Sequence, residues 1–324
     1  MSNEVNTGES TVSRETSQTA TNKPTNKPVI GTRRLKEPMP RPIKTRLFTV
    51  ANQKGGVGKT TSTVNIAAAL AMGGLKVLVI DLDPQGNACT ALGVDRDGEG
   101  MYELLVEEKP LSTIIQKVAG FPHLECAPAN QELANAEISM VNMVARESIL
   151  KFALNDYLKE REAAGDRLDY VIIDCPPSLG LLTINALTAA DEVLVPIQCE
   201  YYSLEGISLL VSTLSKVQRA LNSTVHISTI LLTMFDSRTR LANDVANDVR
   251  AHFPRELIDI PIPRAVRVSE APSFRQTVMT YDASSPGAVA YMQVAREIAQ
   301  RGSSATPHEP DEPDEPNEAG AITA

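Results

Sequence analysis

Residues 52–61 read Asn-Gln-Lys-Gly-Gly-Val-Gly-Lys-Thr-Thr and stand between two apolar segments of different character. Residues 47–51 form a short apolar run that predicts a strand, and residues 64–72 are rich in helix-forming residues. The glycines allow the backbone to turn its N–H groups inward, at φ values that a side chain would resist. The helix that follows directs the positive end of its dipole at the same point. This order predicts a phosphate-binding loop and therefore a bound nucleotide, with an ordinary glycine-rich turn as the alternative.

The polar side chains of this loop suit a nucleoside triphosphate with a metal ion. Lys59 supplies a positive charge for the β- and γ-phosphates of the nucleotide, and the hydroxyl of Thr60 suits Mg²⁺. The ordinary pattern, G-x-x-x-x-G-K-[ST], has glycine where this chain has Gln53, and a second lysine, Lys54, precedes Lys59 by five residues. The residues that we expect to contact the nucleotide in this loop are Lys54, Gly55, Gly56, Val57, Gly58, Lys59, Thr60 and Thr61.

Runs rich in Val, Ile and Leu alternate with helix-forming runs through the body of the chain. Strands are predicted at residues 47–51, 77–81, 124–127, 170–174, 192–197, 227–233 and 257–260, and helices at residues 60–72, 145–162, 181–190, 203–221, 240–253 and 286–300. This alternation predicts an α/β fold whose sheet is mostly parallel and is covered by helices on both faces. Ligands of such sheets bind at the carboxyl ends of strands, where Asp81, Asp83 and Asp174 stand. We therefore expect these carboxylates beside the phosphate loop.

Several segments together resemble the ParA/MinD family of deviant Walker A ATPases. They are the loop at 52–61, residues 81–87 (Asp-Leu-Asp-Pro-Gln-Gly-Asn), residues 171–177 (Val-Ile-Ile-Asp-Cys-Pro-Pro), residues 232–239 and residues 262–267. The last two segments resemble the chromosomal ParA (Soj) branch, and the likeness covers about residues 46–301. It implies a P-loop NTPase fold of the deviant Walker A type and an ATPase that uses ATP and Mg²⁺.

The resemblance also implies roles for the polar residues around the loop. Asp83 would orient or deprotonate the attacking water, while Thr60, Asp81 and Asp174 would lie around Mg²⁺. Lys54 would reach across a dimer to the nucleotide of the partner subunit, in the manner of an arginine finger. Each residue has a plainer alternative at this point: Asp83 could cap a turn, and Lys54 could be a solvated surface lysine.

Two later segments carry the other expected contacts. By resemblance, Met234, Pro263 and Arg264 would pack on the nucleotide, the last two against the adenine. Arg238 and Arg267 match arginines that face DNA in the family, and arginine suits phosphate because its donors form a fixed fork. As generic surface arginines, they would have no such role.

The function that this resemblance implies is DNA segregation. An ATP-bound homodimer would bind non-specific double-stranded DNA, and hydrolysis stimulated by a ParB-type centromere-binding partner would release it. The cargo would be a chromosome or a plasmid, and the protein would be cytoplasmic and nucleoid-associated. The alternative is a MinD-like spatial regulator of another cargo or of cell division. That role needs a basic amphipathic C-terminal helix, whereas this chain ends in an acidic, proline-rich segment.

Composition divides the chain into three parts. Residues 1–45 are expected to be a disordered tail and residues 46–302 the ATPase domain, followed by a disordered acidic, proline-rich tail at 303–324. The basic segment at 31–46 is either a solvated linker or an arm that touches DNA phosphates. The formal net charge is −9, and the body between the tails is itself acidic, so DNA binding would need a local basic patch.

No apolar run approaches the ~18 residues of a membrane span, so no membrane contact is expected. The four cysteines are widely spaced without a C-x-x-C pair, and we expect buried, free thiols.

Overall fold

A computed structural model of the chain describes residue 1, residues 38–200 and residues 203–304. The expected disordered segments at 1–45 and 303–324 lie largely outside these residues. The described part forms seven strands, which are β1 Arg46–Val50, β2 Val77–Asp81, β3 Gln116–Lys117, β4 Leu124–Ala127, β5 Tyr170–Asp174, β6 Glu192–Gln198 and β7 His226–Thr233. They make one sheet in the order β3-β4-β2-β5-β1-β6-β7. Every neighbouring pair is parallel except β3 with β4.

Twelve α-helices occur within the same residues. They are α1 Lys59–Met72, α2 Asn87–Leu92, α3 Met101–Glu107, α4 Leu111–Ile114, α5 Ala136–Ser139, α6 Ile149–Ala163, α7 Leu181–Ala189, α8 Ser203–Ala220, α9 Arg240–His252, α10 Val266–Glu270, α11 Val278–Tyr281 and α12 Pro286–Ser303. Short 3-10 turns lie at Gln131–Asn135, Met140–Asn142 and Ala271–Phe274. The predicted mostly parallel α/β fold is confirmed, with the six predicted helices present as α1, α6, α7, α8, α9 and α12.

The continuous apolar runs of the central strands have a simple cause. Every residue of β2 and β5 is buried, as parallel strands covered on both faces require. The buried apolar residues form two clusters, one that includes α1, α6 and α12 and one that includes α8 and α9. The four cysteines are free and buried, as expected. Of the helices in residues 38–200 and 203–304, none combines the length and the apolar character that crossing a bilayer would require.

Two predicted elements differ from the structure. Residues 257–260 are not a strand, because they reach the sheet through a single bridge between Ile230 and Leu257. The helix predicted from residue 145 begins at Ile149 instead. Ala145 has a φ of +52°, which an α-helix does not accommodate, and its carbonyl accepts a turn bond from Ser148. Both errors arise because the composition of a segment does not report its backbone conformation.

Residues 38–46 pack along the body of the fold. Met39 is buried, and Arg41 forms an ion pair with the buried Asp169 at 2.9 Å. Lys44 lies 3.8 Å from Asp191, and Arg46 begins β1 with its guanidinium bound to Glu192. Three of the basic side chains in the expected DNA arm therefore lie beside carboxylates of the body. The side chain of Arg46 is buried in its pair, whereas those of Arg41 and Lys44 remain largely exposed. The other basic residues of this arm, Arg33, Arg34 and Lys36, lie outside the described residues.

Candidate functional site

The sheet register brings the three predicted segments to one edge. Strand β5 lies between β1 and β2, and its last residue, Asp174, stands opposite both Val50 and Asp81. The loop that follows Val50, the turn that follows Asp81 and the segment that follows Asp174 therefore leave the sheet side by side. This is the arrangement that the strand-end argument predicts.

The loop after β1 has the backbone of an anion cradle. Gly56 and Gly58 adopt φ values of +74° and +88°, in the left-handed region where a side chain is strained. Gly58 is the N-cap of α1, so the unpaired N–H groups of this 14-residue helix point back into the loop. Gly55 is exposed, lies outside the left-handed region, and a Cβ added to it would meet no atom within 4 Å. Among the residues that the structure describes, no atom would obstruct a side chain at position 55.

Two side chains that sequence reasoning missed hold the loop in place. Asn52 is buried, donates from Nδ2 to the carbonyl of Pro196 at 2.8 Å, and accepts from the backbone of Lys54 at 3.0 Å. On the other side, Thr233 at the end of β7 donates from Oγ1 to the carbonyl of Val57 at 2.8 Å. Both residues lie within segments that carry the family resemblance, 52–61 and 232–239, and this position was a signal that could have been used.

Lys59 lies inside the loop. Its side chain is buried, and Nζ donates to the carbonyl of Lys54 at 3.3 Å. Burial lowers the pKa of the Lys59 ammonium, although the negative charges of Asp174 and Asp83 oppose this shift. A buried ammonium held by one carbonyl oxygen retains donors for a further anion. The cradle therefore fits a phosphate group.

Asp174 is fully buried and holds two hydroxyls of α1. Thr60 donates from Oγ1 to Oδ2 at 2.7 Å, and Thr63 donates from Oγ1 to Oδ1 at 3.0 Å. Burial raises the pKa of Asp174 to about 7, against the two hydroxyl bonds, which lower it. Thr63 was missed in the sequence, although its i+3 spacing from Thr60 places both hydroxyls on one helix face. A hydroxyl backed by a carboxylate is a donor set that suits Mg²⁺.

Asp81 is turned inward in this structure. It is completely buried, Oδ1 accepts from the backbone N–H of Asp83 at 3.1 Å, and Oδ2 accepts from that of Cys89 at 3.0 Å. Burial raises the pKa of Asp81 well above its usual range. Here the carboxylate organises the turn after β2 and the start of α2, and its place beside Mg²⁺ stays a prediction.

Asp83 both shapes a turn and stands close to the loop. Its Oδ1 accepts from the backbone of Gln85 at 3.0 Å, and its carbonyl accepts from Gly86 at 2.8 Å. The side chain is buried, and its charge acts on both Lys59 and Asp174. The turn and the expected role in hydrolysis are therefore compatible.

The remaining expected nucleotide contacts are Lys54 in the loop and residues of the two later segments. Lys54 extends toward Glu200 of its own chain, with 3.0 Å between Nζ and Oε2. After β7, Met234 has a φ of +49°, and Phe235 bridges Pro263 in the neighbouring segment. The backbone of Arg264 donates to the carbonyl of Phe235 at 3.1 Å. The two later segments thus lie together at the edge where Thr233 touches the loop.

The two expected DNA-contacting arginines are exposed and paired within the chain. Arg238 forms two bonds to Asp236, at 2.8 Å and 2.7 Å. Arg267 bonds Glu270 at 3.2 Å, lies 3.7 Å from Asp282 and lies over the ring of Tyr281. Exposed pairs of this kind exchange readily for other anions.

The site combines a glycine-rich loop at a helix N-terminus with a buried lysine and a threonine–carboxylate pair. These features define a P-loop nucleotide-binding protein. A family model described as an AAA domain matches residues 45–227. The chromosome partitioning protein ParA of Myxococcus xanthus (strain DK1622) is 44% identical over 264 residues, which cover 81% of this chain and 90% of that protein. The chromosome-partitioning ATPase Soj of Thermus thermophilus is 46% identical over 258 residues, covering 80% of this chain and 97% of that protein.

A solved structure shows the same fold. It is cobyrinic acid a,c-diamide synthase from Mycobacterium smegmatis, crystallised with an ATP analogue and magnesium. The TM-score is 0.67 and the identity 37%, over 79% of this chain and 95% of that chain. The chain belongs to the ParA/Soj family of chromosome-partitioning P-loop ATPases, as its motifs predicted.

Proposed function

We propose that this chain is a DNA-segregation ATPase that hydrolyses ATP to ADP and phosphate in a Mg²⁺-dependent reaction. The observation that supports hydrolysis best is the buried Lys59 within the cradle, with Asp83 and Asp174 close enough to act on its charge. Lys59 and the loop N–H groups would hold the phosphates, and Asp83 would orient the attacking water. Mg²⁺, when bound, would be held by Thr60 with Asp174 behind it and would offset phosphate charge.

The active form would be an ATP-dependent homodimer. Gly55 supports this proposal, since it is exposed and no atom of the described part of the chain would obstruct a side chain there. A glycine that its own chain does not need is suited to a face that another molecule approaches closely. Lys54 would leave Glu200 and reach the nucleotide of the partner subunit, because the pair between them is exposed and costs little to break.

The dimer would present paired arginine patches to non-specific double-stranded DNA. Thr233 contacts the loop carbonyl of Val57, and the next residues of the same segment lead to Arg238. The bridge between Phe235 and Pro263 links this segment to the one that carries Arg267. A change in the loop on nucleotide binding would therefore reach both arginines through a few residues.

A ParB-type protein bound at centromere-like sites would accelerate hydrolysis and release the DNA. The relatives named above are chromosome partitioning proteins, which favours a chromosome as the cargo and the nucleoid as the location.

The test is ATP hydrolysis by the full chain, measured with and without Mg²⁺, DNA and a candidate ParB-type protein. We expect Mg²⁺-dependent turnover that rises when DNA and the partner are both present. Lys59→Ala should lose ATP binding, ATP-dependent dimerisation and DNA binding together, because the phosphates lose their main counter-charge. Lys117→Ala, which removes an exposed lysine from β3, is the matched control and should behave as the parent. ATP-dependent DNA binding by Lys59→Ala would contradict the nucleotide switch.

A further inference from the structure

Arg96 holds the turn that follows β2 from the outside. It lies in the loop after α2, and all three nitrogens of its guanidinium donate to backbone carbonyls. Nε donates to Ala129, Nη1 to Gln85 and Nη2 to Pro84, each at 2.8 Å. Ala129 follows β4, the neighbour of β2 in the sheet. One side chain thus ties the turn after β2 to the segment after β4.

The chemistry of arginine suits this clasp. Its guanidinium is planar, carries a permanent charge and offers five donors in a fixed geometry, so three carbonyls can be held at once. Bonds from a charged donor are about twice as strong as neutral ones. Gly86 makes room for the group, because a Cβ added there would collide with the guanidinium of Arg96. A lysine, with a single nitrogen, cannot reproduce the arrangement.

The carbonyls that Arg96 holds belong to the turn that orients Asp83. The turn is closed by the bond from Gly86 to the carbonyl of Asp83, so Pro84 and Gln85 are its two central residues. From inside, Asp81 accepts from the backbone of Asp83. From outside, Arg96 binds both central carbonyls. The turn is therefore held from the buried side by Asp81 and from the partly exposed side by Arg96.

We propose that Arg96 is a positioning residue that keeps the Asp83 turn in the conformation that faces the phosphate loop. It acts on the hydrolytic step through Asp83 and does not touch the nucleotide, so nucleotide binding does not depend on it. This inference rests on the proposed function, in which Asp83 orients the attacking water.

The first test compares Arg96→Ala with the parent in steady-state ATP hydrolysis, with a single-turnover measurement to isolate the chemical step. A displacement of a reacting group by about 1 Å can cost ~10²-fold in rate, so we expect kcat to fall by ~10- to 100-fold. ATP affinity and KM should stay within about twofold of the parent. The kcat of Arg96→Lys should lie between that of the parent and that of Arg96→Ala. Added guanidinium ion should restore part of the hydrolysis rate of Arg96→Ala.

The second test is a double-mutant cycle. If Arg96 acts through Asp83, then Asp83→Ala and the double variant Asp83→Ala/Arg96→Ala should hydrolyse ATP at the same residual rate. Arg167→Ala is the matched control, since Arg167 also clasps two backbone carbonyls, those of Ile43 and Pro42, away from the cradle. It should change thermal stability without changing kcat.

Two outcomes would overturn the inference alone. Parent-rate hydrolysis by Arg96→Ala would show that the clasp is only structural, and a double variant slower than Asp83→Ala by the full factor of Arg96→Ala would show that Arg96 acts independently. A parent chain without ATP hydrolysis would instead overturn the proposed function, and this inference with it.

Discussion

Single residues of this site serve the fold and the chemistry together. Asp83 closes a turn and acts electrostatically on Lys59, and Asp174 ends β5 while it holds the hydroxyls of Thr60 and Thr63. A buried carboxylate needs such partners, because desolvation otherwise favours its neutral form. Substitutions at these positions therefore need variants that separate the two roles.

Two substitutions of Asp83 separate its structural role from its chemical role. We expect Asp83→Ala to bind ATP and dimerise but hydrolyse at least ~10²-fold more slowly, since the cradle stays intact while the group that positions water is lost. The variant should therefore remain on DNA. Asp83→Asn keeps an acceptor for the Gln85 bond and lacks the charge. Both variants should be slow in an ATPase assay; parent-rate hydrolysis by Asp83→Asn would leave Asp83 as a turn residue only.

A substitution at Gly55 tests, also at the scale of one residue, whether this face forms the dimer interface. Because a Cβ at position 55 meets open space, Gly55→Val should leave folding and nucleotide binding close to those of the parent. It should prevent ATP-dependent dimerisation, as measured by light scattering, if this face meets a partner. Gly56→Val is the contrasting variant, since a φ of +74° strains any side chain and should weaken nucleotide binding itself. A normal ATP dimer of Gly55→Val would remove Gly55 from the interface.

At the scale of secondary-structure elements, one buried ion pair connects two strands and a helix. Arg46 begins β1, donates from Nε to Glu192 at the start of β6 at 2.7 Å, and donates from Nη1 to the carbonyl of Ile298 in α12 at 2.8 Å. Each of the two paired side chains is 11% exposed, and the guanidinium lies 4.6 Å from the ring centroid of Phe48. Breaking such a pair leaves a buried charge without its partner.

The pair predicts a pH-dependent stability. Burial acts to raise the pKa of Glu192, but the bond and charge of Arg46 outweigh it, so the pKa is lowered. A lowered carboxyl pKa contributes stability above the ordinary pKa of glutamate, and this is lost as pH falls through the folded-state pKa. We expect Glu192→Gln to lower the free energy of unfolding by about 3 kcal/mol at pH 7. The difference from the parent should shrink in acid.

Urea unfolding of parent and variant at pH 7 and pH 4 measures both effects. Asp259→Asn, which breaks the exposed pair with Arg250, is the control and should change stability little. A Glu192→Gln variant as stable as the parent at pH 7 would contradict the structural role of the pair.

At the scale of the whole molecule, the charge distribution constrains how DNA can be held. The chain has a formal net charge of −9, so its overall field does not attract DNA. Arg41, Lys44 and Arg46, from the expected basic arm, are paired with carboxylates of the body. Arg238, in the loop after β7, and Arg267, in α10, are likewise paired but exposed. Their segments are joined to the phosphate loop through Thr233 and to each other by a backbone bridge, so we expect this surface to hold phosphates once the carboxylate partners are exchanged.

Salt dependence tests this surface. With a slope of about −0.9 per neutralised phosphate, a dimer that makes ~6 contacts should lose roughly 10³-fold in DNA affinity between 50 and 200 mM salt. Arg267→Glu should weaken DNA binding severely, and Arg238→Glu in the same direction, while ATP-dependent dimerisation and basal hydrolysis stay near normal. Arg250→Glu makes the same charge change at the far end of α9 and should have little effect. Unchanged DNA binding in both Arg238→Glu and Arg267→Glu would move the contact to the N-terminal segment.

Much of the fold and the centre of the site can be read from the amino-acid order. The phosphate loop is a contiguous motif, and the strands that precede Asp81 and Asp174 are continuous apolar runs, because a parallel sheet buried on both faces requires them. We expect these segments to meet because each follows the carboxyl end of a strand in one mostly parallel sheet, although the strand order that makes β5 the neighbour of both β1 and β2 comes from the structure. The ends of the predicted helices and the status of residues 257–260 cannot be read in this way, because those depend on local backbone conformation.

Other features exist only once distant segments pack together. Thr233 reaches Val57 across 176 residues, Asn52 reaches Pro196 across 144, and Arg46 reaches Glu192 across 146. Arg96 belongs to none of the sequence motifs, yet its guanidinium binds the two central carbonyls of the Asp83 turn. Motifs and periodicity report which residues a segment contains, whereas a hydrogen bond between segments depends on where the completed sheet places their ends. For that reason the sequence by itself determined the chemistry of the phosphate loop, whereas the contacts that hold the loop in position depend on the tertiary structure.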